Sequence, residues 1–96
     1  MTRGMIINFL EKNKENFLKK YQISNIALFG SYARGENREN SDVDIAIETP
    51  LTDYFKLYDF KKELEKYFNV KVDVIRLREK MNQSLKNRII NEGIYV

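Results

Sequence analysis

The chain has 96 residues, with no cysteine or histidine, and it carries 17 Lys and Arg against 14 Asp and Glu, a net charge of +3. These absences exclude disulfide frameworks, thiol nucleophiles, Ser-His-Asp triads and zinc sites built from Cys and His. Catalysis would therefore have to rest on carboxylates, hydroxyls, lysines, arginines or a metal held by oxygen ligands.

The length and the distribution of charge also limit the location and the partners. No apolar stretch approaches the roughly 18 residues of a membrane span, and the start of the chain has no secretion signal. We therefore expect a cytoplasmic protein with no membrane partner, forming one domain over residues 1–96. Lys and Glu alternate along the sequence as they do on solvated helix faces, which argues against nucleic acid as a partner.

The first half of the chain predicts a helix, a strand, a short helix and a second strand. Apolar residues recur at helical spacing from about residue 3 to residue 20. A short apolar run at 26–29, stopped by a glycine, is typical of a buried strand. In the second strand, over 42–48, Val43, Ile45 and Ile47 share one face, whereas the other face carries Asp42, Asp44, Ala46 and Glu48.

The second half predicts a helix that starts at Thr49-Pro50 and continues to residue 68, because proline is tolerated in a first helical turn. A strand over 70–75, a last helix from about 81 to 90 with Gly93 as its stop, and an extended tail at 94–96 complete the order. The helix between the second and third strands is compatible with a crossover that joins parallel neighbours.

Three aspartates lie among apolar residues. Asp42 and Asp44 project from one strand face with Cβ atoms roughly 6 to 7 Å apart, given a rise of about 3.3 Å per residue. Such carboxylates repel each other unless a cation lies between them, and Mg²⁺ usually takes one or two carboxylates and completes its shell with water and phosphate oxygens. Asp73 adds a third carboxylate if its strand is a neighbour. Taken alone, an aspartate at a strand start such as Asp42 is most often a turn former or a helix cap.

A Gly-Ser turn follows the first strand. Gly30 permits a sharp turn, Ser31 is a good helix N-cap, and the next backbone N–H groups would face outward as at a phosphate site. Arg34, one turn later, would point toward that anion or toward a carboxylate of the neighbouring strand. An ordinary capped turn also explains Gly30 and Ser31.

Gly30-Ser31, then ten residues, Asp42-x-Asp44 and a distant strand aspartate at Asp73 together resemble the signature of the nucleotidyltransferase superfamily related to DNA polymerase β. The stretch GSYARGENRENSDVDIAI looks like the minimal nucleotidyltransferases often encoded beside a HEPN-domain toxin. The resemblance implies an α/β (α+β) fold, with a small mixed sheet flanked by helices as in the polymerase β palm. It also implies nucleotide binding by the Gly-Ser turn with Arg34, and two Mg²⁺ ions held by Asp42, Asp44 and Asp73.

The activity implied by the resemblance is transfer of AMP from ATP to a tyrosine hydroxyl of a HEPN toxin, with release of pyrophosphate and with Asp73 helping to deprotonate the acceptor. The chain would then be an antitoxin that forms a hetero-oligomer with the toxin. Because only about 20 residues follow Asp73, we expect an incomplete acceptor site that the partner completes.

Two other functions fit the same sequence. The chain could neutralise a toxin by binding alone, through aromatic surface residues such as Tyr54, Phe55, Tyr58 or Tyr95. It could also modify RNA or a small molecule such as an aminoglycoside. The helical spacing of the aromatic residues over 54–68 is more typical of a core than of an RNA-binding surface.

Overall fold

A mixed four-stranded sheet runs through the centre of the molecule, which the computed structural model describes over residues 1–96. The strands are β1 (Asn25–Phe29), β2 (Val43–Glu48), β3 (Val72–Arg76) and β4 (Ile94–Tyr95). They lie in the order β3-β2-β1-β4. β1 is antiparallel to β2 and to β4, whereas β2 and β3 are parallel. The predicted small mixed sheet, the parallel neighbours and the extended tail are confirmed.

Four helices cover the two faces of the sheet: α1 (Arg3–Tyr21), α2 (Gly30–Arg34), α3 (Tyr54–Phe68) and α4 (Gln83–Glu92). α1 and α3 pack on the face that carries Val43, Ile45 and Ile47, in a core of 16 buried residues. α4 packs on the opposite face, in a cluster of four: Ala27, Phe29, Ala46 and Ile89. None of the helices has both the length and the apolar composition that crossing a bilayer requires.

The first and last helices begin and end close to the predicted positions. Thr2 caps α1, since its hydroxyl accepts a hydrogen bond from the Met5 N–H at 3.2 Å. α4 ends at Glu92, and Gly93 caps it as predicted, since its N–H donates to the Ile89 carbonyl at 2.7 Å.

The predicted start of the third helix at Thr49-Pro50 is wrong. α3 begins at Tyr54, and Asp53 caps it by accepting a hydrogen bond from the Phe55 N–H at 2.9 Å. Thr49 is instead buried in the turn after β2, where its hydroxyl donates to the Tyr21 carbonyl at 3.0 Å. Because Thr49 fixes this turn, Pro50 lies before the helix.

The aromatic residues of α3 divide between core and surface. Phe60 and Phe68 are buried, as their helical spacing predicts. Tyr54 and Phe55, however, are 84% and 85% exposed, and Tyr58 is 54% exposed. Tyr67, near the end of the helix, is 65% exposed as well. The interpretation of the whole aromatic set as core is therefore wrong for these four residues.

Candidate active site

The turn after β1 brings the backbone of Gly30 against the carboxylate of Asp44. The β1–β2 register pairs Phe29 with Asp44, so the residue after Phe29 meets that side chain. Gly30 has φ +76°, and a Cβ placed on it would lie 2.9 Å from Asp44 Cγ and overlap the carboxylate. Only glycine combines this left-handed conformation with so close an approach.

Ser31 occupies the first turn of α2 and does not cap it. α2 begins at Gly30, and Phe29 stands in the N-cap position with no side-chain hydrogen bond. The predicted N-cap role of Ser31 is therefore wrong, because the chain turns one residue earlier. Ser31 is half-buried and its hydroxyl forms no hydrogen bond within the chain, and since no fully buried polar side-chain atom lacks a partner, this hydroxyl reaches the surface. The hydroxyl is thus free to contact a ligand.

Asp73 lies beside Asp44 on the neighbouring strand. The parallel register pairs Asp44 with Asp73 and Val43 with Val72. Since adjacent strands lie about 4.8 Å apart and paired residues share a face, these two side chains project from the same face of the sheet. Asp42 and Asp44 are half-buried, whereas Asp73 is exposed. The sheet therefore brings Asp44 and Asp73 to one end of one face, and Asp42, just before β2, is close enough for its charge to act on Asp44.

The charges around Asp44 fit a cation. Burial raises the pKa of Asp44, and the negative charges of Asp73 and Asp42 raise it further, while Arg88 and Arg34 act in the opposite direction. No three acidic side chains lie close enough together to bind one metal ion directly. Mg²⁺ usually takes only one or two carboxylates and fills its shell with water and phosphate oxygens, so this donor set fits it.

Arg34 is paired with two glutamates and not with a carboxylate of the neighbouring strand. Its guanidinium is exposed and donates to Glu36 Oε2 and Glu92 Oε2, both at 3.0 Å. These hydrogen bonds raise the pKa of Arg34. Glu92 belongs to α4, so this contact depends on the docking of α4 against α2. Arg34 still favours the ionised form of Asp44 through its charge.

Arg88 is a charged neighbour of the site that the sequence did not indicate. It lies on α4 next to the buried Ile89, and its Nε is 3.6 Å from Glu92 Oε2. Its positive charge favours the ionised form of Asp44. No spacing in the sequence marks Arg88, because its position beside the aspartates depends on the packing of α4 on the sheet.

Comparison with known proteins identifies the family. The nucleotidyltransferase domain family matches residues 7–96. The chain belongs to this family. The nucleotidyltransferase is 44% identical over 75 residues to MJ1215 of Methanocaldococcus jannaschii, a candidate protein adenylyltransferase, covering 77% of this chain and 87% of that protein. It is 27% identical over 97 residues to the protein adenylyltransferase MntA of Thermococcus cleftensis, covering 100% of this chain and 97% of the relative.

Two solved complexes share the fold of the nucleotidyltransferase. A toxin–antitoxin crystal structure with AMP-PNP superposes with a TM-score of 0.72 at 28% identity, covering 99% of this chain and 72% of that one. The complex of a tri-AMPylated Shewanella oneidensis HEPN toxin with an MNT antitoxin gives a TM-score of 0.62 at 26% identity, covering 97% of this chain and 66% of the matched chain. The resemblance and the enzyme class that the sequence predicts are confirmed.

Proposed function

We propose that this nucleotidyltransferase, as one catalytic domain over residues 1–96, transfers AMP from ATP to a tyrosine hydroxyl of a HEPN toxin and thereby acts as its antitoxin. One observation carries the proposal: the half-buried carboxylate of Asp44 lies between the Gly30 turn and Asp73. The protein adenylyltransferase MntA and the complex with an AMPylated HEPN toxin support the choice of reaction and acceptor.

The turn after β1 is the proposed binding site for the triphosphate. Gly30 lets the phosphates approach the backbone, since no side chain occupies that position. Ser31 has a free hydroxyl at the same place and would donate it to a phosphate oxygen. Arg34 would exchange a carboxylate partner for a phosphate, because guanidinium groups form paired hydrogen bonds with both.

The aspartates are the proposed ligands of Mg²⁺. Asp42 and Asp44 would hold the metal, two ions being the number that the family resemblance implies, and Asp73 would join them on the acceptor side. When bound, Mg²⁺ neutralises the triphosphate and makes its α-phosphorus more electrophilic. The like charge that raises the pKa of Asp44 supports this assignment, because a cation would relieve the repulsion.

The proposed reaction is an in-line displacement at the α-phosphorus. The acceptor oxygen forms a bond to that phosphorus, the bond to the bridging oxygen of pyrophosphate breaks, and pyrophosphate leaves. The exposed carboxylate of Asp73 takes the proton of the acceptor hydroxyl and passes it to water. A site without histidine or cysteine is suited to this chemistry, since positioning and charge neutralisation supply most of the acceleration.

The test is to mix the purified protein and Mg-ATP with the product of the neighbouring gene and to weigh the partner by intact-mass spectrometry. We expect the partner to gain the mass of one or more AMP groups with the wild type and none with Asp42→Ala. Asp59→Ala is the matched control, because it removes an exposed carboxylate from α3 and leaves the site intact. Equal masses with the wild type and Asp42→Ala would contradict the proposal.

Neutralisation by binding alone is the second candidate. The exposed side chains of Tyr54 and Phe55 favour it, because large exposed aromatic residues are typical of protein contacts. Growth rescue in cells that express the toxin separates the two candidates. If the double variant Asp42→Ala, Asp44→Ala rescues growth as well as the wild type does, binding suffices. If it fails while Asp59→Ala rescues, AMP transfer is required.

A further inference from the structure

A groove of about 450 Å³ follows the outer edge of β3. β3 is an edge strand, since β2 is its only neighbour in the sheet. The floor of the groove is the strand segment 74–76. α3 forms one wall with Leu57 and Tyr58, and Met81 and Leu85 form the other. The groove is thus open along the strand and mostly apolar on both sides.

Part of the backbone of β3 is free to bind another strand. The Lys71 carbonyl accepts from the Val43 N–H at 2.9 Å, and the Leu77 N–H donates to the Ile47 carbonyl at 2.8 Å. Because strand residues alternate in direction, residues 71, 73, 75 and 77 face β2 and residues 72, 74 and 76 face outward. Val74 therefore directs its N–H and its carbonyl into the groove.

The two outward residues on either side of Val74 are partly satisfied. The Val72 N–H donates to Glu65 Oε2 at 3.0 Å, which closes the edge at that end. The Arg76 carbonyl accepts from Arg78 Nη1 at 3.4 Å, whereas its N–H has no partner in the chain. The free groups of the edge are therefore concentrated on the groove floor, next to Asp73.

The charge of the groove indicates what binds there. Lys61, Arg76 and Arg78 line it, and no carboxylate does. A second copy of this chain, paired along the same edge, would bring like charges together, which is unfavourable at a two-fold interface. An extended segment with acidic side chains would meet complementary charge and apolar walls.

We propose that the groove along β3 binds an extended, acidic segment of the acceptor protein as an added fifth strand. This inference rests on the proposed function, because it assigns the substrate-docking surface of that same site. Main-chain hydrogen bonds to Val74 and Arg76 give the affinity, as in other cases of strand addition. The residue of the added strand that pairs with Asp73 lies about 5 Å from it, with its side chain on the same face of the sheet. An acceptor tyrosine at that position would place its hydroxyl at the candidate site.

The first test selects peptides from a phage-displayed library of random octapeptides on the immobilised wild-type protein. We expect enrichment of acidic sequences with alternating apolar residues, and at least tenfold weaker binding of those peptides to the variant Lys61→Glu, Arg78→Glu. The matched control is Lys14→Glu, Lys19→Glu, which makes the same charge change on exposed residues of α1 and should bind as the wild type does. No enrichment, or equal binding to both double variants, overturns the proposal.

The second test measures amide hydrogen exchange by NMR with a selected peptide, in the wild type and in Asp42→Ala, Asp44→Ala. We expect the Val74 and Arg76 amides to become protected in both proteins, without ATP or Mg²⁺. Unprotected amides in the complex overturn the groove assignment, even where AMP transfer is observed. Protection that rises with protein concentration in the absence of peptide also overturns it and identifies a second copy as the occupant. Protection without any AMP transfer to the partner contradicts only the proposed function.

Discussion

The two faces of the sheet bury different kinds of residue. On the α1 and α3 face, Ile45 and Ile47 are completely buried in a core of 16 residues. On the other face, three buried sheet residues pack against Ile89 of α4, and the neighbouring Asp44 is half-buried beside Asp73. One strand, β2, serves both faces through the alternation of its side chains. Along β2, residues that pack in the large core therefore alternate with residues of the candidate site. We expect substitutions on the two faces to affect the free energy of unfolding and AMP transfer separately.

The largest effect on AMP transfer is expected from Asp44→Asn, which removes a charge from the face of the sheet that carries the candidate site. AMP transfer should fall by about 10²- to 10³-fold or more, the range for loss of a group that stabilises charge in the transition state. The melting temperature should stay the same or rise, because burial of Asp44 disfavours its charged form. Labelled-AMP transfer and thermal melting measure the two outcomes. If the melting temperature fell together with AMP transfer, the idea that the two faces serve stability and activity separately would be contradicted.

The converse change is Phe60→Ala on the packed face. Phe60 is fully buried and packs edge-to-face against Phe17, with ring centroids 5.1 Å apart. We expect the free energy of unfolding to fall by about 3–5 kcal/mol. AMP transfer per folded molecule should be unchanged below the melting temperature. Phe55→Ala is the control, since Phe55 is 85% exposed and its removal should cost no more than about 0.5 kcal/mol.

Gly30→Ala should affect both properties, because the turn touches both faces. The free energy of unfolding should fall by about 1–3 kcal/mol through the left-handed backbone and the overlap with Asp44, and AMP transfer should fall with it. Gly35→Ala is a matched control, since Gly35 has φ +72° with open space around its Cα. Denaturant unfolding of both variants isolates the contact with Asp44. If Gly30→Ala and Gly35→Ala lowered the free energy of unfolding equally, the overlap with Asp44 would contribute nothing to the loss.

The smallest effect is expected at the edge of the sheet, from Glu65→Gln. The Val72 N–H and then Lys62 hold the pKa of Glu65 below its ordinary value. The stabilisation from ionised Glu65 is therefore complete above the unfolded-state pKa and is lost as the pH falls through the lowered value. Thermal melts from pH 7 to pH 3 should show a shallower acid loss in Glu65→Gln than in the wild type. If the melting temperatures of the two proteins fell equally with pH, groups other than Glu65 would account for the loss of stability in acid.

Local patterns in the sequence predict most of the fold. The helical spacing of Ile6, Leu10 and Phe17 defines α1, and the alternation along β2 separates Ile45 from Asp44 without any structure. The start of α3 was missed because Thr49 is used in a tertiary contact with Tyr21. Propensity alone does not report such contacts.

The candidate site was predictable where it depends on one strand or one turn. Asp42 and Asp44 share a face by alternation, and Gly30 allows the turn by its lack of a side chain. The position of Asp73 required the β2–β3 register, and the partners of Arg34 and the approach of Arg88 required the docking of α4. These contacts join residues distant in sequence, so no local pattern carries them.

The short helix α2 lies at the end of the sheet that carries the candidate site, but its buried side chains belong to the large core. Tyr32 and Ala33 are buried in the large core, and Arg3 Nη1 donates to the Ala33 carbonyl at 2.9 Å. The proposed phosphate turn at Gly30 is therefore attached directly to the core, and we expect it to keep its conformation until the core unfolds. Heat inactivation should coincide with melting rather than precede it, and the working range of the enzyme should extend to its melting temperature.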